Sequence, residues 1–117
     1  PTSWALEDAI AELEGGFACL TFPSGIAAVG NALLAFLNTG DHLLMVDSVY
    51  GPTRDFCNKY LARFGVETTF YDPCIGSKIR ELIRPNTKLL FLESPGSQTF
   101  EVQDVPTLSE RLLYRHT

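Results

Sequence analysis

Positive charge is scarce in this chain and gathers nowhere: nine lysines and arginines stand against 14 aspartates and glutamates, a formal net charge of −5 over 117 residues. A polyphosphate or anionic-membrane surface needs clustered basic side chains, so nucleic-acid and membrane-surface binding are set aside. Long apolar runs are missing too. The longest strongly apolar stretch, Ala32 to Leu37, is far too short to cross a bilayer, and the N-terminus lacks the basic-then-apolar order of a secretion signal. A cytoplasmic location is the expectation. Cys19, Cys57 and Cys74 are odd in number, widely spaced and without a metal-ligand or redox partner, which reads as reduced thiols in a packed interior. No His, Cys, Asp or Glu group has metal-ligand spacing, and no Gly-x-Ser-x-Gly marks a hydrolase. What is present is an ordinary globular composition, 45% hydrophobic and 20% charged, without repeat, linker or low-complexity segment. The length suits one domain or a piece of one.

Taken in order, Leu6, Ala9, Ile10 and Leu13 share a helical face, with Thr2 or Ser3 available as N-cap and Gly15-Gly16 as the stop. Phe17 to Phe22 is apolar, uncharged and rich in aromatics, which predicts a strand buried on both faces. Pro23 to Gly25 then turns into a small-residue helix, Ile26 to Leu37, whose alanines and Gly30 allow close packing on a sheet. His42 to Val46 predicts a second buried strand, Thr53 to Phe64 a helix ended by Gly65, and Val66 to Tyr71 a more peripheral strand. Ser77 to Ile83 reads as a short helix, Lys88 to Leu92 as a third buried strand, and Asp104 as the cap of a last helix. Strands alternating with helices at this spacing predict an α/β fold, a three-layer sandwich on a parallel sheet.

Three loops then hang from C-terminal strand ends, where open parallel sheets gather their ligands: Pro23 to Gly25, Asp47 to Pro52 and Glu93 to Ser97. At the first, a strand feeding a helix through a tight turn converges backbone N–H groups on one point, with the positive end of the helix dipole behind them. That is an anion site suited to phosphate. Tyr50 offers a flat ring and a hydroxyl for stacking or proton transfer, or is simply an amphipathic tyrosine at a loop base. Arg54 reads as a solvated helix charge ahead of an anion ligand, and Glu93 as a functional carboxylate or a local cap. His42 lies at the wrong end of its strand, and His116 in a C-terminal stretch, Tyr114 to Thr117, of unusual pattern. Neither is a convincing base.

Five segments together resemble the pyridoxal-phosphate enzymes of cysteine and methionine metabolism: Leu13 to Gly16, Phe22 to Ala28, Gly40 to His42, Asp47 to Thr53 and Phe91 to Pro95. Within that family, Gly96-Ser97-Gln98 stands where the γ-lyase and γ-synthase members carry Thr-Asn-Pro, which favours the β-lyase branch. The resemblance implies the large domain of a fold-type I, aspartate-aminotransferase-like enzyme, with residues 1 to 117 forming part of it. It implies pyridoxal 5′-phosphate as cofactor, held by the N–H groups of Gly25 and Ile26 at a turn shaped by Ser24, with Tyr50 against the pyridine ring and in reach of the substrate amine. It implies α,β-elimination of cystathionine to homocysteine, pyruvate and ammonia, a sulfur amino-acid substrate, and a homo-oligomer, a dimer of dimers. The resemblance places the family's cofactor-bearing lysine, its aspartate partner for the pyridine nitrogen and its substrate-carboxylate arginine after Thr117, and Lys59, Lys78 and Lys88 stand in the wrong contexts to replace that lysine. The chain is therefore expected to be a truncated or frame-shifted piece, inactive alone. The alternatives are a γ-type relative and a non-catalytic phosphate-binding α/β module; a nucleotide-binding domain would need more loop glycines and a later acidic ribose contact.

Overall fold

His42 to Val46 has all five side chains buried, and as β1 it forms the centre of a three-stranded sheet. The computed structural model describes residues 1–113; Tyr114 to Thr117, including His116, lie outside the described residues. Around β1 run β2 (Glu67–Tyr71) and β3 (Thr87–Phe91) in the order β2-β1-β3, both parallel to it. The register sets Leu44 opposite Thr69 on one side and Leu90 on the other. The helices are α1 (Thr2–Glu14), α2 (Gly25–Phe36), α3 (Gly51–Asp55) and α4 (Val105–Leu113). α3 continues through a π turn at Phe56–Tyr60 and a 3-10 turn at Leu61–Phe64, so the helical path ends at Gly65, which adopts φ 78° as the stop. A second 3-10 segment, Gly76–Leu82, links β2 to β3.

The strand order decides the layers. The crossover from β1 to β2 and the one from β2 back over β1 to β3 travel in opposite directions, so right-handed connections put α3 and the 3-10 segment on opposite faces. α4 packs on that 3-10 segment and α2 on the α3 path, which completes an α/β/α sandwich. The core between the layers comprises Leu33, Leu43, Leu44, Met45, Val46, Leu61, Ile79 and Leu108, each at most 1% exposed.

His42 ties the three strands together at the N-terminal edge. Its Nδ1 lies 2.6 Å from the Thr87 hydroxyl and its Nε2 2.8 Å from that of Thr69, one from each flanking strand. Each threonine hydroxyl can donate or accept, so a neutral imidazole satisfies both contacts in either tautomer. Burial pushes the imidazole pKa down and the Arg84 guanidinium adds to this, while Glu67 opposes it. A lowered native pKa means that the unfolded chain binds the proton first as pH falls. His42 therefore contributes stability that is intact above the ordinary histidine value and is lost as pH drops from there through the native pKa. The expected result is a urea midpoint that falls between about pH 7.5 and 5.5, above the carboxylate range, with His42→Gln flattening that response. Equal slopes for the two proteins would sink this assignment.

Several expectations are corrected. Phe17 to Phe22 is not a strand: among the described residues no strand pairs with it, Phe17 and Leu20 are exposed, and Thr21 instead donates its N–H and hydroxyl to the Glu7 carboxylate at 2.9 Å. An apolar run forms a strand only where a neighbour takes its backbone groups. Helix α1 starts at Thr2 with Pro1 in the cap position and no side-chain cap, so Thr2 and Ser3 do not serve; Gly15 does end it, at φ 66°. The third strand is a half-buried edge and not a fully buried one. Only Cys57 is buried, its thiol pushed up by burial to about 11; Cys19 is half-buried and Cys74 exposed. Gly30 faces the Phe56 ring most closely: a Cβ there would lie 3.4 Å from Phe56 Cζ.

Candidate functional site

α2 enters β1 through the short loop Leu37 to Asp41, and α3 leaves β1 through Asp47 to Tyr50, so both helices run back against the strand. Their N-termini therefore sit at the C-terminal edge of the sheet. Gly30 and Phe56, where the two paths touch, are each five residues beyond the first residue of their helix, 30 − 25 and 56 − 51. The helix starts at Gly25 and Gly51 thus stand equally far from that contact, about 7.5 Å of rise. The sequence expectation that the Ser24 turn and the Tyr50 loop share one edge holds in the fold.

At the first of these starts Ser24 is extended, and its Oγ accepts the Ala27 N–H at 3.1 Å while its carbonyl accepts that of Ala28 at 3.0 Å. The capping leaves the N–H groups of Gly25 and Ile26, the first two of α2, without intrahelical acceptors. Ser24 and Gly25 are exposed, and a Cβ built on Gly25 meets nothing within 4 Å, so an anion has open access to those donors. Tyr50, at the other helix start, is 54% exposed. An open pair of N–H donors and an uncovered aromatic face fit a cofactor that carries both a phosphate and a planar ring.

The third loop is fastened to the second. The Ser97 N–H donates to the Ser48 carbonyl at 2.9 Å, and the Glu93 carboxylate accepts the Tyr50 N–H at 3.4 Å, so Glu93 holds the loop of a neighbouring strand. Between these loops lies a cavity of about 260 Å³ lined by Asp47, Ser48, Arg54, Ser97 and Gln98 among others. A second, of about 240 Å³, adjoins Asp47, Asp72, Thr99 and Glu101. Gly96 makes the fastening possible, since a Cβ there would lie 2.6 Å from Ser48 Oγ and 2.7 Å from Ser48 Cβ. Gly96→Ala is expected to cost about 1–3 kcal/mol, read as a lowered urea midpoint; an unchanged midpoint would show that the loop simply moves aside.

Gln103 escaped the sequence reading, and Arg54 has partners that the reading did not give it. Gln103 is buried, with its Nε2 donating to the Tyr71 hydroxyl at 2.9 Å and its Oε1 accepting the Glu93 N–H at 3.0 Å, while Tyr71 in turn donates to the Phe91 carbonyl. That network fixes the end of β3, and nothing in the local sequence signals it. Arg54, expected to be a solvated charge, instead donates through Nη2 to the Asp47 carbonyl and to Asp47 Oδ1, at 2.8 Å for the latter, and lies over the Phe70 ring. Among the described residues no group of three or more His, Cys, Asp or Glu could hold a metal, and no helix is long and apolar enough to cross a membrane.

These features define an α/β unit of the open parallel-sheet class, with an anion-receptive turn and an aromatic ring on its ligand edge. The chain belongs to the Cys/Met metabolism PLP-dependent enzyme family, whose model matches residues 1–113. It is 52% identical over 107 residues, 92% of this chain, to a cystathionine beta-lyase of Salmonella typhimurium, and 53% identical over 116 residues, 99% of this chain, to a putative cystathionine beta-lyase of Rhizobium johnstonii. It spans 27% and 29% of the length of those two proteins. Its fold superposes on the O-acetylhomoserine sulfhydrylase of Wolinella succinogenes with a TM-score of 0.91 at 32% identity, over 97% of this chain and 32% of that one.

Proposed function

We propose that the protein containing this chain is a pyridoxal-phosphate-dependent carbon–sulfur lyase of the cystathionine β-lyase type, and that residues 1 to 117 form part of its cofactor-binding domain. The reaction is α,β-elimination of cystathionine to homocysteine, pyruvate and ammonia, a step in methionine biosynthesis. The observation that carries the reading is identity above 50% to the β-lyases over nearly the whole chain. Gly96-Ser97-Gln98 after Glu93-Ser94-Pro95 supports the β branch.

The Gly25 and Ile26 N–H groups bind the cofactor phosphate, with the α2 dipole behind them and Ser24 Oγ holding the turn open. Tyr50 would hold the pyridine ring of the bound cofactor with its own ring and, in its phenolate form, would accept a proton from the substrate ammonium. When bound, pyridoxal phosphate would supply an electron-withdrawing ring for chemistry at the substrate Cα. The lysine, aspartate and arginine that complete such a site come from the rest of the protein. It acts as a cytoplasmic homo-oligomer on a sulfur amino acid.

The test is product analysis with the full-length protein and cystathionine. Pyruvate and homocysteine in equal amounts are expected. Cysteine with 2-oxobutyrate, the products of breaking the other C–S bond, would reassign the protein to the γ-lyase branch, and no turnover with cofactor present would favour a non-catalytic module.

A further inference from the structure

We propose that Arg54 is a positioning residue for Tyr50, holding the Asp47–Tyr50 loop so that the tyrosine ring is set before the cofactor arrives; the proposal rests on the lyase reading above. Arg54 lies in the first turn of α3, and its guanidinium does three things at once. Its Nη2 donates to the Asp47 carbonyl, the same nitrogen donates to Asp47 Oδ1 at 2.8 Å, and the plane sits 4.2 Å from the centroid of the Phe70 ring on β2. Its own backbone N–H donates to the Tyr50 carbonyl at 3.3 Å. The loop that carries Tyr50 is thereby closed at both ends. Asp47 is pinned by Arg54 and by its N–H to the Tyr71 carbonyl at 2.8 Å, and Tyr50 by the helix start and Glu93.

Most of this is not a contribution to stability. The Arg54 and Asp47 side chains are 35% and 60% exposed, and an ion pair so open to water adds little to folding. What the arrangement does is angular. A guanidinium that bonds two acceptors through one nitrogen while its carbon lies over a ring fixes direction, and a lysine, a flexible point charge with no plane to lay on Phe70, holds the acceptors without that second constraint. Loss of that direction lets the Asp47 end of the loop rotate and with it the tyrosine ring, and displacements of the order of 1 Å at a reacting centre change rates by up to about 100-fold.

The experiment uses the full-length protein loaded with pyridoxal phosphate, with Arg54→Lys and Arg54→Gln made singly and in a Tyr50→Ala background. Wild-type cofactor binding and turnover are measured first; their absence overturns the lyase reading itself, independently of any substitution. Given an active wild type, both Arg54 variants are expected to lose about 10- to 100-fold in kcat and about tenfold in cofactor affinity, with the thermal midpoint of the apoprotein nearly unchanged. In the Tyr50→Ala background the same substitutions are expected to change cofactor affinity by less than about twofold, because the residue they act through is gone. Arg54→Lys with wild-type kcat, or an affinity loss carried undiminished into the Tyr50→Ala background, overturns the proposal. Should Arg54→Gln fail to fold, Arg54→Lys, which keeps the charge, carries the test.

Discussion

Replacing Tyr50 by alanine in the full-length protein is expected to lower kcat/KM by about 10²- to 10⁴-fold, the range spanned by removing a positioned acid–base group. Tyr50→Phe divides that loss. Phenylalanine keeps the ring and its contact area, so cofactor affinity should stay near wild type while kcat falls, and the difference between the two variants reports stacking alone. The expectation follows from where the fold puts the ring: half exposed, at the start of α3, on the edge where α2 also presents its unpaired N–H groups. Steady-state kinetics with cystathionine, together with pyridoxal-phosphate titration of the apoprotein, checks it. A Tyr50→Phe protein with unchanged kcat would remove the proton-transfer role and leave the stacking role standing.

The second large effect is on folding. Leu44 is fully buried at the middle of the central strand, flanked by Thr69 and Leu90. Leu44→Ala is expected to cost about 2–5 kcal/mol, the lost burial plus the cavity that a sheet held on both sides cannot close. Whole domains are stable by only about 5–15 kcal/mol, so this one change is a large share of the total. The isolated segment has less in reserve: α1 buries no residue, and Phe17, Leu20, Phe36 and Phe100 stand exposed. Urea denaturation of the full-length protein is the measurement. A loss below about 1 kcal/mol would mean that the neighbouring layers collapse into the space.

The sheet was legible from the sequence where a strand's surroundings are local. β1 is apolar after its first residue and bounded by Gly40-Asp41 and Asp47-Ser48, and it appears where its pattern puts it. α2 was equally plain, a small-residue helix opened by the Pro23–Gly25 turn; the Ser24 cap on it is a short-range bond that the structure adds. Phe17 to Phe22 has the same apolar character as β1 but lacks a neighbour, and pairing depends on residues far away in the chain. Arg54 shows the same limit at the site. Its position four residues after Tyr50 is visible, but its grip on Asp47 and Phe70 exists only once β1 and β2 are side by side. The family resemblance succeeded where local patterning failed, since five short segments in order carry tertiary information that none of them holds singly.

The wide turn inside the α3 path has its own consequence. From Phe56 to Tyr60 the helix winds with one residue more than an α turn would use, and the rings of Phe56, Tyr60 and Phe64 remain in file across it, 4.8 and 5.1 Å apart. Such a turn is an inserted residue that the helix has absorbed. Removing one residue there would return the path to plain α geometry while Arg54 at one end and Leu61 at the other keep their bearings. The helix behind the tyrosine thus carries its extra residue between the ligand edge and the core, where neither Tyr50 nor Leu61 has to absorb it.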